Sequence, residues 1–406
     1  MATTDAEALL TPEAVRLRAR MLLALARRNE LEHFIFDETR LHATADYVAE
    51  IIRARYRELK VPFHARWRHF VIDGEDRYAP VTEALRNDRR ERLRAAFDVA
   101  ITSVLLDAGA GPAWRYRDKK TRQDLARSEG LALASLDAIA AGLFADDGKS
   151  LRADADALAN LEVDRLADAF QVRADNPLDG IDGRAALLRA LGFAAQTRDE
   201  FVGDSGRRVG HLADYIIAQC PDGRIPARTI LVAVLRALGR IWPSRLALDG
   251  VPLGDTWKHP AIATNDATAG FIPFHKLSQW LSYSLIEPLE AAGLRVTGVD
   301  ALTGLAEYRN GGLFVDFDVL APRNPAMLEL AHLPASEFIV EWRGLTVALL
   351  DEIAPLVRAR LKVSEKAMPL ASILEGGTWA AGRKIAAEKR EGGTPPIHIA
   401  ADGTVF

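Results

Sequence analysis

The stretch TPEAVRLRARMLLALARR, residues 11–28, decides the fold class. Thr11 is a residue type that caps helix N-termini, and Pro12 suits the first helical position, where no amide hydrogen is needed. Val15 and Leu22 then recur on one helical face, with further apolar residues between them. The pattern predicts an amphipathic helix.

Helical periodicity recurs along the chain in segments rich in alanine and leucine. The predicted helices cover 45–58, 88–107, 121–143, 153–170, 184–195, 228–240, 275–293, 337–362 and 379–390. The strand candidates are HFIFD (33–37), RHFVID (68–73), LRVTGV (294–299), LFVDFDVL (313–320) and IHI (397–399). Strands so short and scattered cannot build a long doubly wound sheet. We expect a mainly α protein with a few short β-strands.

Length, composition and charge indicate an ordinary globular chain. Its 406 residues are 49% apolar and 27% charged, which is enough to bury a large core. We expect one compact catalytic unit over 1–406, with a division into helical lobes near 1–200 and 201–406 left open. The net charge of −4 argues against a nucleic-acid or membrane-surface binder. We interpret the basic string RNDRRERLR (86–94) as a solvated helix face.

The expected location is the cytoplasm. The N-terminus lacks the apolar core of a secretory signal, and no stretch approaches 18 consecutive apolar residues. Cys220 is the single cysteine, so no intrachain disulfide framework can form. Homo-oligomerisation is left open.

The sequence lacks the familiar metal and phosphate motifs. Its nine histidines form neither H-E-x-x-H nor a Cys/His zinc pattern, and we expect no metal and no cofactor. GTWAAGRK (377–384) fails as a P-loop, because Arg383 stands where the lysine belongs. A helix opening there, with Arg383 facing an anion, stays an alternative. His275 and Lys276 begin the predicted helix 275–293, where an anionic ligand would suit them.

Residues 302–320, LTGLAEYRNGGLFVDFDVL, place a carboxylate, a phenol, a guanidinium and an amide side by side at 307–310. Composition alone predicts a polar turn before a short strand, and both a solvated turn and an active site fit it. Gly311 and Gly312 suit a tight turn or the close approach of a ligand. Tryptophans beside charged residues, as in RWRHF and DTWKH, favour a pocket for a planar polar ligand.

Longer motifs resemble a known family. RWRHF, SVLLDAGAGPAWRYRD, GDTWKHPA, PFHKLSQWLSYSLIEPLE, LTGLAEYRNGGLFVDFDVL, EWRGLT and EGGTWAAGRKIAAEKR are similar to the uracil-catabolism proteins of fungi and bacteria, over residues from about 12 to 406. The resemblance implies a pathway in which the opened uracil ring leaves a ribosylurea or its phosphate. A step that yields urea and a sugar is then the expected reaction.

A more distant resemblance is to the queuosine-salvage nucleotide N-glycosylases, which are all-α proteins akin to helix-hairpin-helix DNA glycosylases. The order FHKLSQ, LTGLAEYRNGG and SEFIVEWR is similar to theirs. It implies a helical bundle of that type, with Glu307 at the position of a catalytic aspartate. LLDAGAGPAW resembles their segment that ends in a base-stacking aromatic, which implies pocket roles for Asp107 and Trp114.

Together the resemblances imply a hydrolase that cleaves the N-glycosidic bond of a ribosylurea-type intermediate, in particular its 5′-phosphate. Glu307 is the expected carboxylate beneath the sugar, and Asp107 or Asp255 the group that assists the leaving urea. The candidate substrate-binding residues are Trp67, His69, Trp114, Tyr116, Trp257, His275, Lys276, Tyr308, Arg309, Asn310, Arg343 and Arg383. The expected partner is a small nucleoside- or nucleotide-derived substrate. The alternatives are a metal-independent ureide amidohydrolase and a non-catalytic helical scaffold.

Overall fold

The computed structural model describes residues 4–107, 109–204, 206–242 and 246–400, and these are mainly α-helical. The α-helices of this part of the chain are α1 (Asp5–Leu9), α2 (Pro12–Arg27), α3 (Leu41–Arg55), α4 (Arg89–Leu105), α5 (Arg127–Ala140), α6 (Ala155–Ala159), α7 (Val163–Ala169), α8 (Ile181–Thr197), α9 (Leu212–Ala218), α10 (Ala227–Leu238), α11 (Lys276–Ala291), α12 (Tyr308–Asp316), α13 (Glu337–Leu361), α14 (Leu370–Ile373) and α15 (Trp379–Lys389). A π-helical turn, Leu374–Thr378, joins α14 to α15. None of these helices is long and apolar enough to cross a membrane.

The strands are two or three residues long. They are β1 (Phe34–Phe36), β2 (Val71–Ile72), β3 (Glu75–Asp76), β4 (Tyr116–Arg117), β5 (Asp124–Leu125), β6 (Val202–Gly203), β7 (Gly206–Arg207), β8 (Arg224–Pro226), β9 (Ala247–Leu248), β10 (Val251–Pro252), β11 (Thr256–Lys258), β12 (Phe271–Pro273), β13 (Arg295–Thr297), β14 (Leu320–Pro322), β15 (Ala331–His332) and β16 (His398–Ile399). Each pairs with one other strand: β1–β14, β2–β3, β4–β5, β6–β7, β9–β10 and β11–β12 are antiparallel, and β8–β13 and β15–β16 are parallel. The predicted mainly α class with small β elements is confirmed. The likeness to helix-hairpin-helix glycosylases stays a prediction.

The helix predicted over 11–28 is confirmed as α2. Thr11 Oγ1 accepts a hydrogen bond from the amide of Ala14 at 3.2 Å, and Pro12 occupies the first helical position. A capping hydroxyl of this kind contributes about 1 kcal/mol to helix stability. The acidic segment 153–170, by contrast, is two short helices, because the chain leaves helical geometry at Glu162, which is extended.

The strand predicted over 313–320 is wrong. Tyr308–Asp316 is helical, and the strand β14 begins only at Leu320. The alternation of apolar and polar residues predicts a strand with Asp316 on its solvated face, but Asp316 is buried. Its carboxylate oxygens lie 2.7 and 2.6 Å from the two terminal nitrogens of Arg390.

Gly311 and Gly312 lie inside α12 and therefore form no turn. A Cβ atom at Gly311 would lie 2.7 Å from Cε2 of Trp342, and one at Gly312 would lie 2.9 Å from Cδ of Pro396. Glycine costs about 1 kcal/mol relative to alanine within a helix. The absence of a side chain at Gly311 lets α12 approach Trp342 of α13 closely.

The chain forms two compact units. The first unit comprises the described residues of Met1–His64, Arg245–Gln279 and Gly298–Ala401, and the second those of Ala65–Ser244 and Trp280–Thr297. Each unit is therefore discontinuous in sequence, whereas the lobes left open by the sequence are continuous halves. Whether the protein acts as one catalytic unit stays a prediction.

In the first unit, α13 packs against α2, α3 and α12, and α15 packs against α12. α13 is buried along most of its 25 residues, including Trp342 and Leu345. Gly344 gives α2 room, since a Cβ there would lie 2.5 Å from Cδ1 of Leu22. This packing holds the N-terminus of α12 in place.

In the second unit, α4 packs against α5, α8 and α9. Its buried Asp98 accepts a hydrogen bond from Arg208 Nε at 2.6 Å and another from the amide of Gly210 at 2.6 Å. Arg208 also pairs with Glu91, which lies about two helical turns before Asp98 on α4. A buried charge needs such partners, because an unpaired one costs several kcal/mol.

Candidate active site

The carboxylate of Glu307 caps the N-terminus of α12. Oε2 accepts from the amide of Arg309 at 2.9 Å, and Oε1 accepts from the amide of Asn310 at 2.6 Å. The first amides of a helix have no partner within it, so a capping side chain satisfies them. Glu307 is only 8% exposed. Its carboxylate is therefore held in one orientation inside the first unit.

The protonation of Glu307 is set by opposing influences. Burial raises its pKa above the ordinary value of 4.5, while the amides of Arg309 and Asn310 and the charges of Lys276 and His64 lower it. Burial prevails, so the pKa is raised. A carboxyl of this kind exchanges its proton closer to neutral pH than an exposed one and can act as acid, base or nucleophile.

Asp255 stands beside the start of α11 in a dense set of donors. Arg343 Nη1 and Nη2 each lie 2.8 Å from one of its oxygens, Trp257 Nε1 donates at 2.7 Å, and the amide of Lys276 donates at 2.9 Å. Burial alone would raise the pKa of Asp255, but Arg343 and the other donors hold it well below its usual range. Asp255 is therefore ionised at neutral pH and is a poor proton donor to the leaving group.

Arg343 connects Asp255 to the segment that carries Glu307. Its Nε donates to the carbonyl of Ala306 at 3.3 Å, one residue before Glu307. Arg343 is fully buried on α13, at 1% exposure. Its terminal nitrogens are bound to a carboxylate, so Arg343 orients the segment before Glu307, and its contact with a phosphate stays a prediction.

His275 is likewise bound within the protein. Its Nε2 lies 2.9 Å from the carbonyl oxygen of Leu9, and its backbone φ is +48°. Burial lowers the pKa of His275, which favours the neutral ring. A neutral ring is no cation for a phosphate, so of the predicted pair at the start of α11, Lys276 is the one that supplies charge.

His64 and Glu375 form a buried pair that the sequence did not reveal. His64 Nδ1 lies 2.8 Å from Glu375 Oε2, and the His64 ring lies 5.9 Å from that of Trp379. Glu375 belongs to the π-helical turn, a feature that often marks functional sites. The two residues are 311 positions apart. The available signal is the polar EGGTW motif, whose glycines pack against α3 and the segment that follows it.

The helix predicted to open at GTWAAGRK begins earlier. α14 starts at Leu370 and continues through the π-helical turn into α15, so no helix N-terminus lies beside Arg383. The anion site proposed there as an alternative is therefore wrong. Arg383 is exposed, with its guanidinium carbon 5.7 Å from the centre of the Trp379 ring.

Tyr308, Arg309 and Asn310, which follow Glu307, contact other groups of the protein. Arg309 Nη1 donates to the carbonyl of Gly393 at 2.8 Å, and the Arg309 guanidinium lies over the ring of Tyr308. Asn310 Nδ2 donates to the carbonyl of Leu305 at 3.2 Å. The first unit thus brings together Glu307, Lys276, Asp255, Trp257 and Arg343, and it adds His64 and Glu375.

The second unit holds the remaining candidates. Asp107 accepts from Arg66 Nη1 at 2.7 Å and from Ser128 Oγ at 3.3 Å. Trp67 and His69 lie on the 3₁₀ helix Arg66–Phe70, where the ring of His69 meets that of Trp280 edge to face.

Trp114 and Tyr116 are fully buried in the second unit. Trp114 Nε1 donates to the carbonyl of Phe170 at 2.9 Å, and Tyr116 Oη donates to Asp137 at 2.7 Å. Aromatic residues whose polar atoms are satisfied in this way are typical of a packed core. Core packing accounts for both residues without a ligand.

One group in the described part of the chain has the geometry to hold a metal ion: His33, Glu337 and Glu341. Glu341 Oε1 also accepts from the amides of His33 and Phe34, at 3.1 and 2.9 Å. Its other oxygen lies 3.4 Å from Nε2 of His259. Neither Glu341 Oε2 nor His259 Nε2 makes a hydrogen bond among the described residues, so only one of the two carboxylate oxygens is satisfied by these contacts.

The family model described as "Protein of unknown function (DUF1688)" matches residues 8–406. The chain belongs to this family. Among DUF1688-like relatives, Protein urg3 of Schizosaccharomyces pombe is 37% identical over 417 residues, covering 100% of both chains. Uracil catabolism protein 4 of Lachancea kluyveri is 35% identical over 408 residues, covering 92% of each. The family resemblance inferred from the motifs is confirmed.

Proposed function

We propose that this protein is a hydrolase that cleaves the N-glycosidic bond of a ribosylurea-type intermediate of uracil catabolism, in particular its 5′-phosphate. Water supplies a hydroxyl to the anomeric carbon and a proton to the departing nitrogen, so the products are urea and ribose or ribose 5-phosphate. The pathway is suggested by the name of a relative, Uracil catabolism protein 4. The reaction rests mainly on the buried, doubly hydrogen-bonded carboxylate of Glu307.

Cleavage of an N-glycoside develops positive charge at the anomeric carbon and the ring oxygen. A fixed carboxylate stabilises that charge, traps it covalently or activates the attacking water. Glu307 suits this role because two amides hold its oxygens and Lys276 favours its ionised form. The amides keep the carboxylate from turning away from the substrate.

The departing urea nitrogen needs a proton or a hydrogen bond. The low pKa of Asp255 makes it unsuitable as the donor. Asp107 stays the other predicted candidate. The His64–Glu375 pair, whose histidine influences the pKa of Glu307, joins it as a candidate of the first unit.

The experiment that tests the reaction measures products. Purified protein is incubated with ribosylurea and with its 5′-phosphate, with and without a chelator, and urea, pentose and ammonia are assayed. We expect urea and pentose in equal amounts. Ammonia and carbon dioxide in place of urea would instead establish an amidohydrolase, and no turnover of either compound would favour a scaffold.

Glu307→Gln tests the residue. Glutamine removes the charge but retains one oxygen that can accept an amide, and we expect urea release to fall at least about 100-fold. Ser336→Ala is the matched control, because it removes the cap of α13, where Ser336 Oγ accepts from the amide of Ile339. Undiminished turnover by Glu307→Gln would show that another group carries the reaction.

A further inference from the structure

A cavity of about 530 Å³ lies within the second unit. Its lining includes four arginines, Arg68, Arg86, Arg89 and Arg92, and two aromatic residues, Trp67 and Tyr78. Asp76 and Glu287 are its two carboxylates. Sites for small molecules commonly measure 300–1,000 Å³. The cavity is thus large enough for a small ligand and carries an excess of positive charge.

The helix α4 divides its arginines between two faces. Arg90 Nε and Arg94 Nε lie 2.8 and 2.7 Å from the oxygens of Asp214, so both arginines on that face are bound to a carboxylate. Arg89, Arg92 and Leu93 share another face by helical spacing and line the cavity. The basic string interpreted as a solvated face therefore binds Asp214 of α9 on one side and lines the cavity on the other.

The arginines of the cavity retain capacity for an anion. Within the described residues, the guanidinium of Arg92 makes no hydrogen bond or ion pair, and that of Arg89 bonds to the carbonyl of Ala292 at 3.4 Å. Arg68 pairs with Glu287 through Nη2, yet its buried Nε donates to no acceptor in the described part of the chain. Guanidinium groups prefer phosphate and carboxylate partners, which they bind with two parallel hydrogen bonds.

The carboxylate of Asp76 does not neutralise these charges directly. Its Oδ1 accepts from the amides of Tyr78 and Ala79, at 2.8 and 3.1 Å, and so closes a turn. Arg68 pairs with Glu287 and Arg86 with Glu83, so an excess of two positive charges, those of Arg89 and Arg92, has no carboxylate partner among the described residues. A dianion would balance that excess.

The aromatic wall is fixed by a proline in α11. Pro288 has no amide hydrogen, so the carbonyl of Ser284 lacks its partner within the helix. Trp67 Nε1 donates to that carbonyl at 2.6 Å. The Trp67 ring then lies 4.8 Å from that of Tyr78. Because the helix holds the indole in place, the wall is formed before any ligand binds.

We propose that this cavity binds a nucleoside monophosphate, with its phosphate on Arg89 and Arg92 and its base against Trp67 and Tyr78. The two arginines supply the charge for a phosphate dianion, and the aromatic wall supplies a surface for a planar ring. The apolar side chains of Leu93 and Pro288 complete that surface. This binding goes beyond the proposed reaction and does not depend on Glu307.

The test is calorimetric titration of the full chain with uridine and adenosine monophosphate, uridine, and ribose 5-phosphate. We expect both nucleotides to bind, uridine to bind at least about tenfold more weakly, and ribose 5-phosphate likewise. Arg89→Ala and Arg92→Ala should each weaken nucleotide binding about tenfold or more. Arg90→Ala, which removes the same charge from the other face of α4, should change it less than about twofold.

Three results would overturn the proposal: no nucleotide binding by the wild type, equal weakening by Arg90→Ala, or equal affinity for ribose 5-phosphate. The last would identify a sugar-phosphate site and exclude a role for the base. Thermal unfolding verifies that each variant is folded. The titration measures binding and involves no turnover. Absence of nucleotide binding would therefore not contradict the role proposed for Glu307, and absence of ribosylurea cleavage would not contradict nucleotide binding in this cavity.

Discussion

Arg343 binds Asp255 through both terminal nitrogens, each 2.8 Å from a carboxylate oxygen. Planar, two-bond pairs of this kind are the strongest ion pairs available to side chains. The pair ties α13 to the start of α11, because Asp255 also accepts from the amide of Lys276. It therefore positions the cation that acts on Glu307.

Asp255→Asn should destabilise the protein and change its response to acid. The pKa of Asp255 is lower in the folded than in the unfolded chain, so its contribution to stability is present above about pH 4 and is lost as the pH falls below that. At neutral pH the variant should lose about 3–5 kcal/mol, because Arg343 is left buried without its partner. Urea unfolding from pH 3 to 7 measures both effects. The exposed Asp175→Asn serves as the control, and identical acid profiles for wild type and Asp255→Asn would refute the assignment.

The pH dependence of kcat should report Glu307. Its pKa is raised by burial and lowered by Lys276, and the carboxylate must be ionised to stabilise the transition state. The acid limb of kcat should therefore lie above the ordinary glutamate range and move to higher pH in Lys276→Met, but not in Lys276→Arg. Neither change touches the backbone amide that bonds to Asp255. If the acid limb of kcat stays at the same pH in Lys276→Met, a group other than Glu307 titrates there.

Arg208→Met should lower the free energy of unfolding by about 3–5 kcal/mol, because the carboxylate of Asp98 is then buried without its cation. The double variant Asp98→Asn/Arg208→Met should lose less than the sum of the single changes. Arg90→Ala breaks an exposed pair with Asp214 and should cost at most about 1 kcal/mol. Urea unfolding of these variants distinguishes the two kinds of pair, and equal losses would contradict the prediction.

Gly382→Ala should affect both stability and turnover. A Cβ atom there would overlap the carbonyl oxygen of Arg309, so α15 must move away from α12, at a cost of about 1–3 kcal/mol. The same movement should disturb the first turn of α12, and urea release should fall. Gly183→Ala is the matched control, since its Cβ meets nothing within 4 Å and α8 should gain about 0.5–1 kcal/mol. Thermal unfolding and the urea assay measure the two outcomes.

Most of the fold could be predicted from local patterns. The helix α2 follows from apolar periodicity, which reflects burial of one of its faces, and α4 and α13 follow from long segments of helix-forming apolar residues that are buried on most sides. α12 could not be predicted in this way. Two glycines lowered its helix propensity, and the buried ion pair of Asp316 imitated the alternation of a strand. Tertiary contacts decided its conformation.

The candidate site was predictable only in part. Glu307 and Asp255 occur in motifs that can be recognised in sequence, but their opposite pKa shifts depend on partners brought in by folding. His64 and Glu375 meet across 311 positions, and no local pattern encodes that contact. The contact of His275 with the carbonyl of Leu9, 266 positions away, could not be predicted for the same reason, and its expected phosphate role stays a prediction.

The packing of α2 against α13 has a consequence for synthesis of the protein in the cell. Arg16 of α2 pairs with Asp351 of α13, 335 positions later in the chain. At roughly 5–20 residues per second, the ribosome delivers α13 tens of seconds after α2 has emerged. During that interval the apolar face of α2 lacks its partner in α13, so it is left to water or to other contacts of the nascent chain. Co-expression of chaperones should therefore raise the yield of native protein.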